Sequence, residues 1–282
     1  MDRKVAITGA SGFVGRNAGS FLDGKGFEVV ALVRKGRAGF GRTVVTRDLA
    51  EKKLAAQVGG SDALLHLVGT GRQTTESDYE TVNVSLTRNA VRLCRRAGIR
   101  KIIYLSGLGV GKSSTLGYFI SKFKAEQEII RSGLDYTIFR PSYIMGKGDP
   151  LSSMLAREAA RGQVVIPGSG KYRMQPIFVD DVSQVVMRAI FDRRFSKKTV
   201  DLVGPKAVTY NRLVADLAPR ARIRHVEFER AYHEALVSAK GPFGVDDLSI
   251  LVGGYLGDHK RLARMSKLAF TGYGTMLKYL RE

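Results

Sequence analysis

Short, almost wholly apolar runs alternate, over the first two thirds of the chain, with longer stretches whose apolar residues recur at helical spacing. The runs are Val5–Thr8, Glu28–Val33, Thr43–Val45, Ala63–Val68, Lys101–Ser106 and Tyr136–Arg140. Strands that are apolar on both sides are those covered by helices on both faces, as in a parallel sheet. The intervening stretches Gly12–Gly24, Glu51–Val58, Ser77–Ala97 and Leu116–Arg131 read as the crossover helices. This alternation predicts an α/β fold, a doubly wound parallel sheet of the Rossmann kind.

The rhythm weakens after Pro150. A helix over Leu151–Gly162 precedes the loop-rich Pro167–Gly170. Pro176–Val179 (strand), Asp180–Arg194 (helix) and Thr199–Val203 (strand) then read as a return to the sheet. From Gly204 onward helices are separated by irregular, glycine-rich connections. The expected partition is a nucleotide-binding unit from 1–150 plus 176–204, and a smaller C-terminal substrate lobe from 151–175 plus 205–282. There is no internal repeat and no low-complexity tract.

Composition narrows the setting. Hydrophobic residues are 44% of 282, and no stretch is long or apolar enough to cross a bilayer. Met1-Asp2-Arg3-Lys4 leads straight into a strand with no signal-peptide pattern, so a soluble, cytoplasmic protein is expected. The single cysteine, Cys94, reads as a small core residue. Lys and Arg outnumber Asp and Glu by 46 to 26, a net charge of +20. The cations are dispersed over many segments, with no zinc-finger spacing and no aromatic RNA-binding motif. They therefore read as solvated faces, and no specific nucleic acid is expected. Salt-sensitive adhesion to polyanions, or to an acidic protein or membrane surface, is the residual implication.

Gly9-Ala10-Ser11-Gly12-Phe13-Val14-Gly15 sits between the first strand and the first helix. Glycines at this spacing allow a tight turn, close backbone approach to a diphosphate, and close packing of helix on strand. The diphosphate would rest on backbone N–H groups at the helix N-terminus. Where an NAD site usually has a carboxylate, after the second strand, this chain reads Val33-Arg34-Lys35-Gly36-Arg37. Arg34, assisted by Lys35 or Arg37, suits a 2′-phosphate, so NADP(H) is the expected cofactor.

Tyr118 and Lys122 lie four apart at the start of a helical stretch and so share a face. A nearby ammonium would lower the phenol pKa and fit Tyr118 for general acid/base work. The glycine loop, Asp48-Leu49 after the third strand, Asn83, Tyr104-Leu105-Ser106, Tyr118-x-x-x-Lys122, Arg140-Pro141-Ser142 with Gly146, and Ile177–Val182 together resemble the extended or atypical short-chain dehydrogenase/reductases. The likeness covers roughly residues 4–204. It is nearest to the group containing nucleotide-sugar epimerases, NmrA-type proteins and the NADPH-binding accessory subunit of respiratory complex I. The resemblance implies that Gly9, Ser11, Gly12, Phe13, Val14 and Gly15 hold the diphosphate. It also implies that Asp48 and Leu49 meet the adenine, and that Val68 and Gly69 line the passage to the nicotinamide. Lys122 would bond the nicotinamide ribose, and Pro141 with Ser142 would border the carboxamide. Asn83 would support the active-site helix, and Ser106 would complete the catalytic set with Tyr118 and Lys122.

One position departs from that pattern. In sugar epimerases the working hydroxyl falls two residues after Ser106, where this chain has Leu108; Ser113, Ser114 and Thr115 are the other hydroxyls of the segment. The departure argues against ordinary epimerase chemistry. The expected function is NADP(H)-dependent hydride transfer to or from a carbonyl or alcohol carbon of a small-molecule substrate. The alternative is a non-catalytic NADPH-binding structural or sensory protein. Tyr143, Met145, Met154 and Tyr172 are candidate pocket residues; the sequence does not fix the oligomeric state, although a homodimer through paired helices is common among such proteins. His66, in an apolar strand, reads as a core histidine. The remaining histidines have no metal-like spacing, so no metal is expected. Asp180-Asp181 and Asp246-Asp247 read as helix N-caps and partners of the helix dipole.

Overall fold

The computed structural model describes residues 3–74, 77–238 and 243–281. Met1, Asp2 and Glu282, at the ends of the two expected units, lie outside the described residues, as do 239–242 in the expected lobe. The chain begins β1 (Lys4–Thr8), α1 (Phe13–Gly24), β2 (Glu28–Val33), β3 (Arg42–Val45), α2 (Leu54–Val58) and β4 (Ala63–His66). After a π-helical turn (Glu80–Ser85) come α3 (Leu86–Ala97), β5 (Lys101–Leu105), α4 (Gly117–Ile130) and β6 (Asp135–Pro141). Next are β7 (Ile144–Met145), α5 (Pro150–Ala160), β8 (Gln163–Pro167), β9 (Arg173–Met174), β10 (Ile177–Phe178), α6 (Val179–Phe191) and β11 (Lys198–Leu202). The chain closes with β12 (Val208–Thr209), α7 (Tyr210–Leu217), β13 (Arg222–Val226), α8 (Phe228–Val237), α9 (Val245–Val252), α10 (His259–Ser266) and α11 (Tyr273–Arg281).

Seven parallel strands form the main sheet in the order β3-β2-β1-β4-β5-β6-β11. The direction of winding reverses between β1 and β4, so the crevice at their carboxyl ends is the place where such sheets bind ligands. Alternate residues of each strand feed opposite cores. Val5 and Ile7 pack with Leu22, Val182 and Ile190 on the α1 and α6 face, while Ala6 packs with Leu64, Leu93 and Ile129 on the α3 and α4 face. Side chains such as Leu64 and Ile102 are fully buried, and trimming one of them to alanine costs about 2–5 kcal/mol. A third core, built on Met145, Leu155, Ile166, Tyr210 and Leu213, holds the smaller lobe.

The structure departs from expectation in five places. The strand expected over 63–68 ends at His66, where Thr8 Oγ1 accepts the Leu67 N–H and meets His66 Nδ1 at 2.8 Å, so the chain turns into the crevice. The helix expected over 77–97 is interrupted by the π-helical turn. Ile177–Phe178 does not rejoin the main sheet but pairs with β7, because β11 already occupies the edge beside β6. Strand β13 was not expected. Four of its five residues are exposed and its apolar residues, Ile223 and Val226, are separated by Arg224 and His225, leaving little apolar signal, and its pairing with β8 supplies the order. The α10 helix, assigned by sequence to the lobe, packs on β11 and α6 through Leu262.

Candidate active site

The crevice at the carboxyl ends of β1, β4 and β5 opens into a cleft of about 920 Å³. Gly9, Gly12, Phe13, Val14 and Gly15 line one end of it. Gly9 has φ +67°, and a Cβ there would stand 2.9 Å from the Leu67 carbonyl carbon. A Cβ on Gly15 would stand 2.2 Å from Gly9 O, so α1 can approach β1 only through glycine. Gly12 caps α1 without a side chain, and the first turn of the helix carries no acid. The N–H groups and positive end of α1 are thus presented to an anion in the cleft. Ser11 is at the exposed tip of the loop and does not line the cleft, and its carbonyl accepts from Arg16.

Arg34 and Lys35 follow β2, exposed, and form no ion pair among the described residues. Asp48 is exposed, its carboxylate accepting the Ala50 N–H, while Leu49 is buried at φ +69°. Val68 and Gly69 continue from β4 beside the loop. A Cβ on Gly69 would lie 2.8 Å from Lys122 Nζ and 3.2 Å from Asn83 Oδ1, which shows how closely these three groups converge. Pro141 and Ser142 line the cleft at the end of β6, and Ser142 Oγ accepts the Gln175 N–H.

Tyr118 enters the cleft from the first turn of α4, and Lys122 is buried one turn later. Lys122 Nζ donates to Leu105 O at 3.1 Å and sits 5.9 Å from the Tyr118 ring centroid. Burial pushes the Lys122 ammonium down to about 8 against the pull of Glu126. The phenol does not follow the expected lowering. Burial, and then the charge of Asp247, push Tyr118 up to about 12. Ser106 also lines the cleft, and its buried Oγ has no hydrogen-bond partner among the described residues. Leu108 lines the cleft too, whereas Ser113, Ser114 and Thr115 do not, and Ser114 is used within its own turn.

Asn83 is fully buried on the π-helical turn. Its amide brackets Thr70 and donates to Ser121 Oγ at 2.9 Å, and Ser121 in turn donates to Tyr118 O. This chain fixes the start of α4. His66 is a satisfied core residue between Thr8 and Thr87, its imidazole pushed down to about 3 by burial and then by the Lys122 charge. Cys94 is buried, and burial pushes its thiol up to about 12. Among the described residues no group of three or more His, Cys, Asp or Glu is placed to hold a metal. No helix among them is long and apolar enough to cross a membrane.

Sequence reading missed the acids that serve this site. Asp246 Oδ2 accepts the Tyr118 N–H at 3.0 Å and lies 2.7 Å from Tyr79 OH, so a carboxylate from α9 caps α4 across the lobe interface. Asp247 pairs with Arg72 at 2.7 Å and accepts the Gly244 N–H. The expected capping role is therefore corrected, while the dipole role agrees: Gly244 is the cap of α9, and its two acids lie within the first turn. Asp180 and Asp181 also fall inside the first turn of α6, which begins one residue earlier than expected, and Asp181 holds Thr271 instead. Glu126, one turn beyond Lys122, is buried in a bidentate pair with Arg140. The four-residue spacing Tyr118–Lys122–Glu126 was its only sequence signal.

The far end of the cleft belongs to the lobe. Tyr143 and Met154 line it as expected. Met145 and Tyr172 do not: Met145 is fully buried in the lobe core, and Tyr172 donates to Pro167 O and stacks on Tyr210.

The chain is 32% identical over 185 residues to the ceramide reductase of Caulobacter vibrioides, covering 64% of this chain and 58% of that protein. It is 27% identical over 213 residues to mouse NADH dehydrogenase [ubiquinone] 1 alpha subcomplex subunit 9, mitochondrial, covering 71% of this chain and 56% of the subunit. The chain thus matches little more than half the length of either relative. Among solved structures, MoeE5 in complex with UDP-glucuronic acid and NAD superposes with a TM-score of 0.79 at 20% identity, over 98% of this chain and 97% of the other. That likeness carries the fold. Residues 9–193 match the NAD(P)H-binding family from the glycine loop through α6, and the chain belongs to it.

Proposed function

We propose that the chain is an NADP(H)-dependent oxidoreductase acting on a carbonyl or alcohol carbon, with Tyr118 as its acid/base. The supporting observation is that Tyr118 and Ser106 line the same cleft as the glycine loop, with the Ser106 hydroxyl left without a protein partner. The residues fit a pyridine dinucleotide: the glycine cradle and uncapped α1 suit its diphosphate, and Arg34 with Lys35 suit a 2′-phosphate. Bound there, the nicotinamide supplies the hydride equivalent.

The protein's own groups do the rest. A phenol near 12 is protonated at neutral pH and is poised to donate to a carbonyl oxygen. Lys122, cationic below about 8, stabilises the negative charge left on Tyr118 as its proton leaves. Ser106 Oγ holds the substrate oxygen within reach. The name of the Caulobacter relative, a reductase, supports this reading. Leu108, in place of a second hydroxyl, and the likeness to a complex I subunit favour a second reading, in which the chain binds NADPH without turning it over.

Turnover of NADPH against a panel of carbonyl compounds separates the two. Tyr118→Phe is expected to lower the rate by about 10²–10⁴-fold with NADPH affinity retained. The wild-type rate is expected to fall as pH rises through about 8, where Lys122 loses its charge. Tight NADPH binding with no turnover by the wild type would decide for the second reading. In the same preparation Arg34→Asp should weaken NADPH more than NADH, by about tenfold or more. Equal losses would remove the phosphate contact.

A further inference from the structure

The part of the cleft beyond Tyr118 combines two features. Its inner wall is formed by Leu151, Met154, Met174, Ile250, Leu251 and Tyr255, from α5, β9, α9 and the loop after it. Tyr255 alone among these side chains carries a strong hydrogen-bonding group, and its ring packs edge-on against Phe119 with centroids 5.2 Å apart. Sugar hydroxyls pressed against such a wall would lose water and gain few partners, whereas a hydrocarbon arm would gain its full transfer energy.

The second feature is charge. Arg157, Arg161 and Arg173 line the same space, are exposed, and form no salt bridge among the described residues. The acids of the lining are each engaged. Asp149 caps α5 through the Ser152 N–H and also accepts the Gly146 N–H. Asp247 holds Arg72 and Gly244. Glu158 accepts the Val165 N–H, and burial pushes its carboxyl upward while Arg161 and Arg157 pull it back. The balance leaves cationic donors lining the same space as the apolar wall.

We infer that the lobe accepts an anionic amphiphile, a carbonyl compound whose aliphatic arm lies on the Met154–Leu251 wall and whose carboxylate or phosphate meets Arg157, Arg161 and Arg173. The carbonyl rests on the oxidoreductase reading; the amphiphile does not, since it follows from the wall and the arginines alone. Guanidinium groups hold either anion by paired, charge-assisted hydrogen bonds.

The test is calorimetry on the full chain with NADPH present, using unreactive probes below their aggregation concentrations: decanoate, decyl phosphate, decanol, butyrate and UDP-glucose. Decanoate should bind at least about 100-fold tighter than butyrate, since each buried methylene contributes up to about fourfold. Decanoate or decyl phosphate should bind about tenfold or more tighter than decanol, and the tighter of the two identifies the headgroup. The double variant Arg157→Gln, Arg161→Gln changes exposed side chains. It should remove the advantage of the anions over decanol while NADPH affinity stays the same. Equal binding of decanol and decanoate, tightest binding by UDP-glucose, or a double variant that binds the anions like wild type would each overturn the inference. None of the probes is reduced, so a failure to turn over carbonyls would count against the oxidoreductase reading and leave this result standing.

Discussion

At the β1 end the cleft is walled by backbone: glycines, the open first turn of α1, and the Leu67–Val68 peptide against which Gly9 is pressed. At the lobe end it is walled by side chains from α5, β9 and α9, and their identities set what fits. A main-chain site tolerates no bulk and reads a constant feature of its ligand, the diphosphate. A side-chain site can be recomposed without disturbing the sheet, which is how one scaffold serves many substrates. Asp246 lies across the boundary, reaching from the lobe helix α9 to the first turn of α4. Lobe and α4 are thereby mechanically joined.

The contrast can be broken most severely at Gly15. Gly15→Ala places a methyl 2.2 Å from Gly9 O, so the loop must shift. The expected result is loss of NADPH binding by about 100-fold or more, with stability lowered by about 1–3 kcal/mol. Titration of NADPH fluorescence and denaturant melts measure both, and retained affinity would show that the backbone is not the binding surface. Removal of the bridge comes next. Asp246→Ala should lower kcat several-fold and stability by about 1 kcal/mol, leaving the NADPH Kd unchanged, while Asp246→Asn, still able to cap, recovers most of the loss. A change in Kd as large as that in kcat would dissolve the distinction between the two ends.

A separate test, on stability alone, concerns His66 at the end of β4. Its folded pKa is depressed from 6.5 to about 3, so between those values the unfolded chain binds a proton that the folded chain refuses. Its contribution to stability is complete above 6.5 and falls by about 1.4 kcal/mol per pH unit on acidification below it. Unfolding free energies at pH 7 and pH 5 should show that slope, and His66→Gln should flatten it. Parallel slopes would mean the folded state takes up the proton.

What the sequence made legible follows the same division. Gly9, Gly12 and Gly15 were readable because a tight turn and a close approach admit one residue type, and the apolar alternation of β1 to β6 because both faces of the sheet are covered. The pairing of Tyr118 with Lys122 was readable as helical spacing. The direction of the Tyr118 pKa was not, because it is set by burial and by Asp247, which is remote in sequence. Asp246 was missed because nothing local distinguishes a carboxylate that caps a distant helix from one that caps its own, and Arg72 and Glu126 because their ion-pair partners, Asp247 and Arg140, lie on other elements. Strand β13 escaped because its order comes from pairing with β8 rather than from apolar burial.

The π-helical turn at Glu80–Ser85 has a consequence for anyone reshaping this protein. It carries Asn83 beneath the start of α4, and it does so by winding wider than a regular helix. Deleting one residue there would restore the commoner winding and swing the side chains on one side of the cut by about 100° relative to those on the other. The shortening would therefore also cost the buried bonds of Asn83 to Thr70 and Ser121, so the wide turn and the anchoring of α4 stand or fall together.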